Sequence, residues 1–276
     1  MRRYTYDAKN YPLSEIALGS IQKHYPDVQD LSLLHEHVPS KKIGELAKII
    51  GKDLADTNFY KIFDKLLEDY VSLGEILVQR FGNIRINIPN QDKDGTVLPF
   101  HQGQWVGNGL GLRTVWLPFT DAYDSNSLQL VNLMDSRAIT DACKEWDYLR
   151  LQEECKKYCE PVNIKKGQFI LFTQEHIHGA AANRTGKTRM SIDVRLLLKD
   201  GQPHRKWPGA YFRKLHDTDI HSRKVEIKDN DNVVMYAEYE GFKTRYIDLH
   251  FQTLTVKDYC NRMGYTFPHQ TGDNEG

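Results

Sequence analysis

The sequence lacks long hydrophobic runs and an excess of charge of either sign. No uncharged stretch approaches the ~20 residues that a membrane-spanning helix needs, and the N-terminus has no apolar segment typical of a secretory signal peptide. The 37 basic side chains are balanced by 37 acidic ones, so the charge favours neither nucleic acid nor an anionic membrane as a partner. The sequence therefore predicts a partner other than these two.

Cysteine is also scarce, with four residues in a chain of 276. Cys155 and Cys159 are separated by one helical turn rather than by the shorter spacing of most zinc pairs, and no second pair follows. Reduced thiols in a cytoplasmic protein are the expected state. The length and the 40% content of hydrophobic residues are compatible with a single domain that buries a substantial core.

The hydrophobic pattern changes its period along the chain. Residues 1–82 predict helices, because apolar residues recur at intervals of three and four in 43–50 and again in 59–81, and Gly51 is typical of a helix end. Residues 83–215 predict short strands between turns, and residues 138–159 predict a helical insertion. Residues 216–276 form a C-terminal extension with a weaker pattern. The predicted strands are 84–88, 114–119, 127–131, 168–172 and 189–195. We expect a mainly β fold with flanking helices, built as an antiparallel sandwich or barrel.

The most informative motif is His101-Gln102-Gly103, followed much later by His178 and Arg189. Two histidines and one carboxylate on one face of the metal are the usual protein ligands of non-haem Fe(II). The carboxylate normally stands two residues after the first histidine, where this chain has Gly103. Arg189 opens a predicted strand and shares a strand face with Ser191. A guanidinium and a hydroxyl there could hold a small dicarboxylate.

These motifs resemble the phytanoyl-CoA hydroxylase-like branch of the Fe(II)/2-oxoglutarate-dependent dioxygenases, and more loosely the oxygenases of bacterial surface-carbohydrate gene clusters. The proximal motif of that branch often reads His-Gln-Asp-Gln, and residues 101–104 read His-Gln-Gly-Gln. Residues 98–101, 115–118, 189–195 and 207–212 add to the resemblance, which covers about residues 80–215. It implies a double-stranded β-helix core (a jelly roll, as in cupins) with the N-terminal helices packed outside.

The resemblance also implies roles for individual residues. His101 and His178 are the expected iron ligands, and Arg189 with Ser191 is expected to hold the C5 carboxylate of 2-oxoglutarate. Further candidates are Thr114, Gln129 and Arg85 for the cosubstrate, and Trp105, Trp116, Gln104 and Glu175 for the substrate pocket. Glu175 is in addition a candidate substitute ligand. Only one of His176 and His178 should face the metal because strand side chains alternate, and His178 is favoured. A solvated basic face is expected from Arg205, Lys206, Arg213 and Lys214.

Gly103 leaves the third protein position on the metal open, and three interpretations follow. Chloride could fill it, as in the iron/2-oxoglutarate halogenases, which carry the same His-X-Gly motif. Water could fill it in a hydroxylase whose aspartate was lost naturally or replaced in the laboratory. The chain could also be a non-catalytic relative that binds a ligand. The favoured prediction is halogenation of an unactivated C–H bond with O2, Fe(II), 2-oxoglutarate and chloride. The expected substrate is a small polar molecule, namely a sugar, a nucleotide sugar or an amino acid; the sequence leaves open whether the chain forms a homo-oligomer.

Overall fold

The structure is a computed structural model. It describes residues 1–90, 98–103, 105, 108–109, 111–199, 201, 211–217, 220, 224–229 and 232–238. The α-helices are α1 (Leu13–Gln22), α2 (Leu34–His37), α3 (Ile43–Asp53), α4 (Phe59–Tyr70), α5 (Leu133–Ala142) and α6 (Tyr148–Tyr158). Short 3-10 turns cover Leu31–Leu33, Ser40–Lys42, Leu54–Asp56, Asp124–Asn126 and Cys143–Glu145.

The strands pair antiparallel throughout the described part of the chain. They are β1 (Arg2–Thr5), β2 (Ile76–Gln79), β3 (Asn83–Asn87), β4 (Leu112–Pro118), β5 (Leu128–Val131), β6 (Cys159–Pro161), β7 (Gln168–Thr173), β8 (His178–Ala180), β9 (Arg189–Leu198), β10 (Phe212–Lys214), β11 (Lys224–Asp229) and β12 (Asn232–Glu238). The large sheet has the order β1-β7-β4-β9-β2-β10, with β3 also paired to β9, and the small sheet has the order β6-β5-β8. Strands β11 and β12 form a separate pair.

Strand β9 separates the two halves of the molecule, because its side chains alternate between two buried environments. One face is apolar and joins the core that the N-terminal helices cover, through Met190, Ile192, Val194 and Leu196. The other face is polar and charged, and it carries Arg189, Ser191, Asp193 and Arg195, all of them buried. Burying so many polar groups without partners is energetically unfavourable. Their concentration on this second face indicates a candidate functional site.

The polar face of the large sheet looks toward the small sheet. A second apolar cluster joins Trp116, Ile170 and Phe172 of the large sheet to Leu128 and Leu130 of the small one. A third cluster covers the outer side of the small sheet and includes residues of α5 and α6. Two antiparallel sheets that enclose a partly polar interior form the double-stranded β-helix, so the predicted fold class is confirmed.

Three local predictions differ from the structure. The N-terminal part, expected to be helical, also supplies β1 and β2 to the large sheet. Residues 59–81 do not form one long helix, since α4 ends at Tyr70 and the apolar residues that follow alternate within β2. Gly51 does not end α3, which continues to Asp53. In each case packing against the sheet or neighbouring helices overrides local sequence preference.

No helix in the described ranges is both long enough and apolar enough to span a bilayer.

Candidate metal and cosubstrate site

The two predicted metal-binding histidines lie side by side across the small sheet. His101 and His178 form an isolated antiparallel bridge in which each backbone N–H donates to the other's carbonyl, at 3.0 and 2.9 Å. Their ring centroids are 4.3 Å apart, and both residues are buried. The bridge brings two residues that are distant in sequence together, and the backbone holds both rings next to each other.

Backbone carbonyls fix the orientation of both imidazole rings. His101 Nδ1 lies 2.9 Å from the carbonyl oxygen of Pro99, and His178 Nδ1 lies 3.0 Å from that of His176. A carbonyl oxygen only accepts hydrogen bonds, so each Nδ1 must carry the proton, and each Nε2 keeps its lone pair. Burial lowers the pKa of His101 to about 4 and holds that of His178 well below its usual value. Both rings are therefore neutral at pH 7, as metal ligands must be.

No carboxylate completes the pair among the residues that the structure describes. No group of three or more His, Cys, Asp or Glu side chains is placed to hold a metal ion there. The backbone N–H of Gly103 donates to the carbonyl oxygen of Gln174 at 3.0 Å, which brings the two residues into contact. A Cβ atom built on Gly103 would lie 1.9 Å from Gln174 Oε1. The amide of Gln174 thus occupies the space where a side chain at position 103 would begin.

Hydrogen bonds on both amide atoms hold Gln174 in place. Its Oε1 accepts from Asn108 Nδ2 at 2.8 Å, and its Nε2 donates to Thr114 Oγ1 at 2.8 Å. Gln174, Asn108 and Thr114 are all buried. The predicted cosubstrate residue Thr114 therefore positions Gln174 in this structure.

Arg189 and Ser191 lie on the polar face of β9, as predicted. The Arg189 guanidinium donates from Nε to the carbonyl oxygen of Asn126 at 2.9 Å and from Nη1 to Ser191 Oγ at 2.9 Å. It lies 5.8 Å from the centre of the Trp116 ring, whose Nε1 donates to Ser191 at 3.1 Å. Burial, together with the nearby Arg85, lowers the pKa of Arg189 to about 10. At pH 7 it is still a buried cation.

A second charged group lies farther along the same strand face. Asp193 accepts from Arg85 Nε at 3.0 Å and from Asn83 Nδ2 at 2.7 Å, and it also pairs closely with Arg195. Burial acts to raise the pKa of Asp193, but Arg195 and Arg85 outweigh it and hold that pKa below its usual range. Of these residues only Arg85 was predicted. The alternation of β9 was the available signal for Asp193 and Arg195.

The remaining predicted residues lie in different surroundings. Gln129 donates to the backbone carbonyls of Asp124 and Ser127, at 3.0 and 3.3 Å, and so holds a turn. Trp116 does belong to the cluster between the sheets. Trp105 instead packs in the cluster on the outer side of the small sheet, because the short turn after Gly103 carries it there. Gln104 lies outside the described residues.

Glu175 and His176, the two other candidate ligands near His178, both interact with neighbouring side chains. The Glu175 carboxylate is bound at 2.7 Å by Arg137, whose side chain is exposed. His176 is buried, with Nδ1 2.9 Å from the hydroxyl of Thr173 and its ring against Phe172. The structure thus gives the chain no substitute carboxylate at Glu175.

The expected solvated basic face is wrong at Arg213. This side chain is fully buried and forms two hydrogen bonds with the carboxylate of Asp64 on α4, at 2.6 and 2.8 Å. Lys214 is exposed, and residues 205 and 206 lie outside the described part of the chain. Strand β10 pairs with β2 and thereby brings Arg213 over the helical layer.

Comparison with known proteins adds a family to this geometry. The family model of phytanoyl-CoA dioxygenase (PhyH) matches residues 49–191, which is more than half of the chain and runs from within α3 to the first three residues of β9. No curated protein matches the sequence.

Three solved structures are similar to the chain at low sequence identity, each with a TM-score below 0.5. A non-heme monooxygenase, ThoJ in complex with nickel, is 14% identical over 92% of each chain, with a TM-score of 0.43. AviO1 from Streptomyces viridochromogenes Tue57 is 12% identical over 72% of this chain and 89% of its own, with a TM-score of 0.43. The epimerase SnoN, in complex with Fe3+, alpha ketoglutarate and nogalamycin RO, is 13% identical over 72% and 80%, with a TM-score of 0.43.

Proposed function

The chain belongs to the phytanoyl-CoA dioxygenase family, and from this premise we propose that it is an Fe(II)- and 2-oxoglutarate-dependent enzyme. In this proposal it uses O2 to modify an unactivated C–H bond of a small polar substrate. Iron chelated by 2-oxoglutarate, when bound, supplies the oxidation of the C–H bond, coupled to conversion of 2-oxoglutarate into succinate and CO2. The observation that carries the proposal is the buried, neutral pair His101 and His178 at the edge of the small sheet, together with the buried cation Arg189 on the polar face of β9 that looks toward that sheet.

The histidine pair fits a divalent transition metal. Imidazole nitrogen suits iron, and a metal-bound histidine usually donates its other ring N–H to a carbonyl or carboxylate. His101 and His178 both do so, with the carbonyls of Pro99 and His176. These bonds fix the tautomer, so neither ring has to turn or lose a proton before it binds the metal.

The charge of the interior fits a dicarboxylate. Arg85, Arg189 and Arg195 contribute three guanidinium groups on this side of the large sheet, and among the described residues Asp193 forms ion pairs with Arg85 and Arg195. Bringing such charges into a low-dielectric interior is unfavourable unless a counter-ion is present. We propose that Arg189 and Ser191 hold the C5 carboxylate of 2-oxoglutarate, with a bidentate contact from the planar guanidinium.

We propose halogenation as the outcome of the reaction, because Gly103 supplies no negative ligand. A chloride ion would restore both the missing charge and the missing ligand. Hydroxylation is the second candidate, and it is favoured if the substrate carbon lies so that hydroxyl rather than chlorine is transferred. The proposed substrate is a sugar, a nucleotide sugar or an amino acid, and the reaction takes place without nucleic acid or a membrane.

The test is the replacement of Arg189. We expect Arg189→Ala to weaken 2-oxoglutarate binding by roughly 10- to 100-fold, since a hydrogen bond to a charged group contributes about 1.5–3 kcal/mol. Isothermal titration with Co(II) in place of Fe(II) would measure the affinity, and succinate formation with Fe(II) and O2 would measure turnover.

Arg137→Ala is the matched control, because it removes a guanidinium that pairs with Glu175 at the surface. It should leave 2-oxoglutarate affinity unchanged. Circular dichroism would establish that Arg189→Ala is folded. Arg189→Lys keeps the charge but not the planar fork, so its affinity for 2-oxoglutarate should lie between those of the parent and of Arg189→Ala. Equal affinities for the parent and a folded Arg189→Ala would rule out this cosubstrate site.

A further inference from the structure

We propose that Gln174 fills the space where a side chain at position 103 would begin, and that Gly103 and Gln174 form a matched pair that keeps a protein carboxylate out of the third ligand position of the metal. This inference deepens the proposed function, on which it rests, because it concerns the same two-histidine site. It assigns a role to Gln174, which lies four positions before the predicted ligand His178 and was not itself predicted to belong to the site.

Gln174 leaves no space for a side chain at position 103. A Cβ atom on Gly103 would lie 1.9 Å from Gln174 Oε1, 2.8 Å from its Cδ and 3.1 Å from Asn108 Nδ2. The φ angle of Gly103 is not among the positive values found at other glycines, so its backbone does not itself demand glycine. The steric demand comes chiefly from Gln174, and Asn108 adds a second, less severe contact. An aspartate at position 103 therefore requires Gln174 to leave.

Displacing the Gln174 side chain would destabilise the protein. The end of a glutamine side chain is flexible, but this one is 2% exposed and bonded at both amide atoms. Displacing it breaks the bonds from Asn108 and to Thr114, and buried polar groups that lose a partner are destabilising. The amide is thus built into the core rather than resting in spare space. A site that had lost its aspartate by one replacement would have no reason to contain this fitted side chain.

Gln174 differs from a carboxylate ligand in its charge. A glutamine amide fills volume and offers an oxygen, but it carries no negative charge. Gln174 therefore excludes a side chain from position 103 and leaves the negative charge of the missing carboxylate unreplaced. The metal site that results prefers an anion from solution over a protein carboxylate, which is a property of the Gly103–Gln174 pair rather than of Gly103 by itself.

The first experiment measures the coupling of the two positions without any metal. Gly103→Ala should lower the midpoint of thermal unfolding in the parent protein by several degrees. The same substitution in a Gln174→Ala background should lower it by clearly less, because the obstructing amide is gone. Gly44→Ala is the matched control: it lies in α3, a Cβ there meets nothing within 4 Å, and it should be neutral or slightly stabilising.

The second experiment measures equilibrium binding of Co(II) without cosubstrate. Gly103→Asp alone should gain no affinity over the parent, whereas Gly103→Asp/Gln174→Ala should bind at least 10-fold more tightly, because only then can the carboxylate reach the metal. A purely structural role of Gln174 would not produce this gain.

Two results would overturn the inference. One is an equal effect of Gly103→Ala with and without Gln174. The other is tighter Co(II) binding by Gly103→Asp with its unfolding midpoint unchanged. The unfolding cycle is independent of the proposed function: coupling without any metal binding in any variant would preserve the matched pair and reject the iron enzyme.

Discussion

At the residue scale, the proposed metal binding depends on which ring nitrogen of each histidine is free of hydrogen bonds to the backbone. The main-chain carbonyls of Pro99 and His176 accept hydrogen bonds from Nδ1 of His101 and of His178, so Nε2 of each ring keeps a lone pair that is available to a metal. Sequence alone could identify these histidines and Arg189 as candidates. It could not identify Gln174, because the contact with Gly103 depends on how two loops approach each other and has no sequence motif.

The metal site can be tested one residue at a time. We expect His101→Ala or His178→Ala to abolish measurable Co(II) binding, since no more than two His, Cys, Asp or Glu ligands come together at one point among the described residues. Glu175→Gln should leave the affinity unchanged, because its carboxylate is engaged by Arg137. Titration followed by the visible spectrum of Co(II) would measure all three. A 10-fold loss in Glu175→Gln would show that this carboxylate is the third ligand after all.

At the element scale, β9 accounts for most of the fold. Its strict alternation predicted a strand, and both buried faces follow from it: one apolar toward the helices, one polar toward the site. The small strands β1, β2 and β8 were not predicted, because a strand of three or four residues has too few positions to show a period. Their places are set by pairing with longer strands, which is information that the sequence holds only at long range.

The ion pair between α4 and β10 offers a test of the packing at this scale. Arg213→Ala should destabilise the protein by about 3–5 kcal/mol, because it leaves Asp64 as a buried charge without its partner. The double variant Arg213→Met/Asp64→Leu should recover much of that loss. Urea unfolding at pH 7 would measure both. Replacement of Lys42, whose partner Glu45 is also exposed, is the control and should have no measurable effect. If Arg213→Ala matches this control, the buried pair does not stabilise the fold.

At the scale of the whole molecule, the histidine pair and the buried arginines lie on opposite sides of the interior. The small sheet holds the histidine pair, and the large sheet holds the buried arginines. The fold class and the helical layer could be predicted from periodicity, and the family from its motifs. The placement of the histidine pair and of the buried arginines on different sheets could not be predicted, since it depends on the pairing of strands that are distant in sequence.

The most direct test of the account is an anaerobic titration with Fe(II) and 2-oxoglutarate, followed by the visible metal-to-ligand charge-transfer band. The account predicts a band that forms with both components and that shifts or tightens when chloride is added, but not when sulfate is added at the same ionic strength. Absence of the band would contradict the iron and 2-oxoglutarate site itself, and a band that is identical with and without chloride would contradict a third position open to halide.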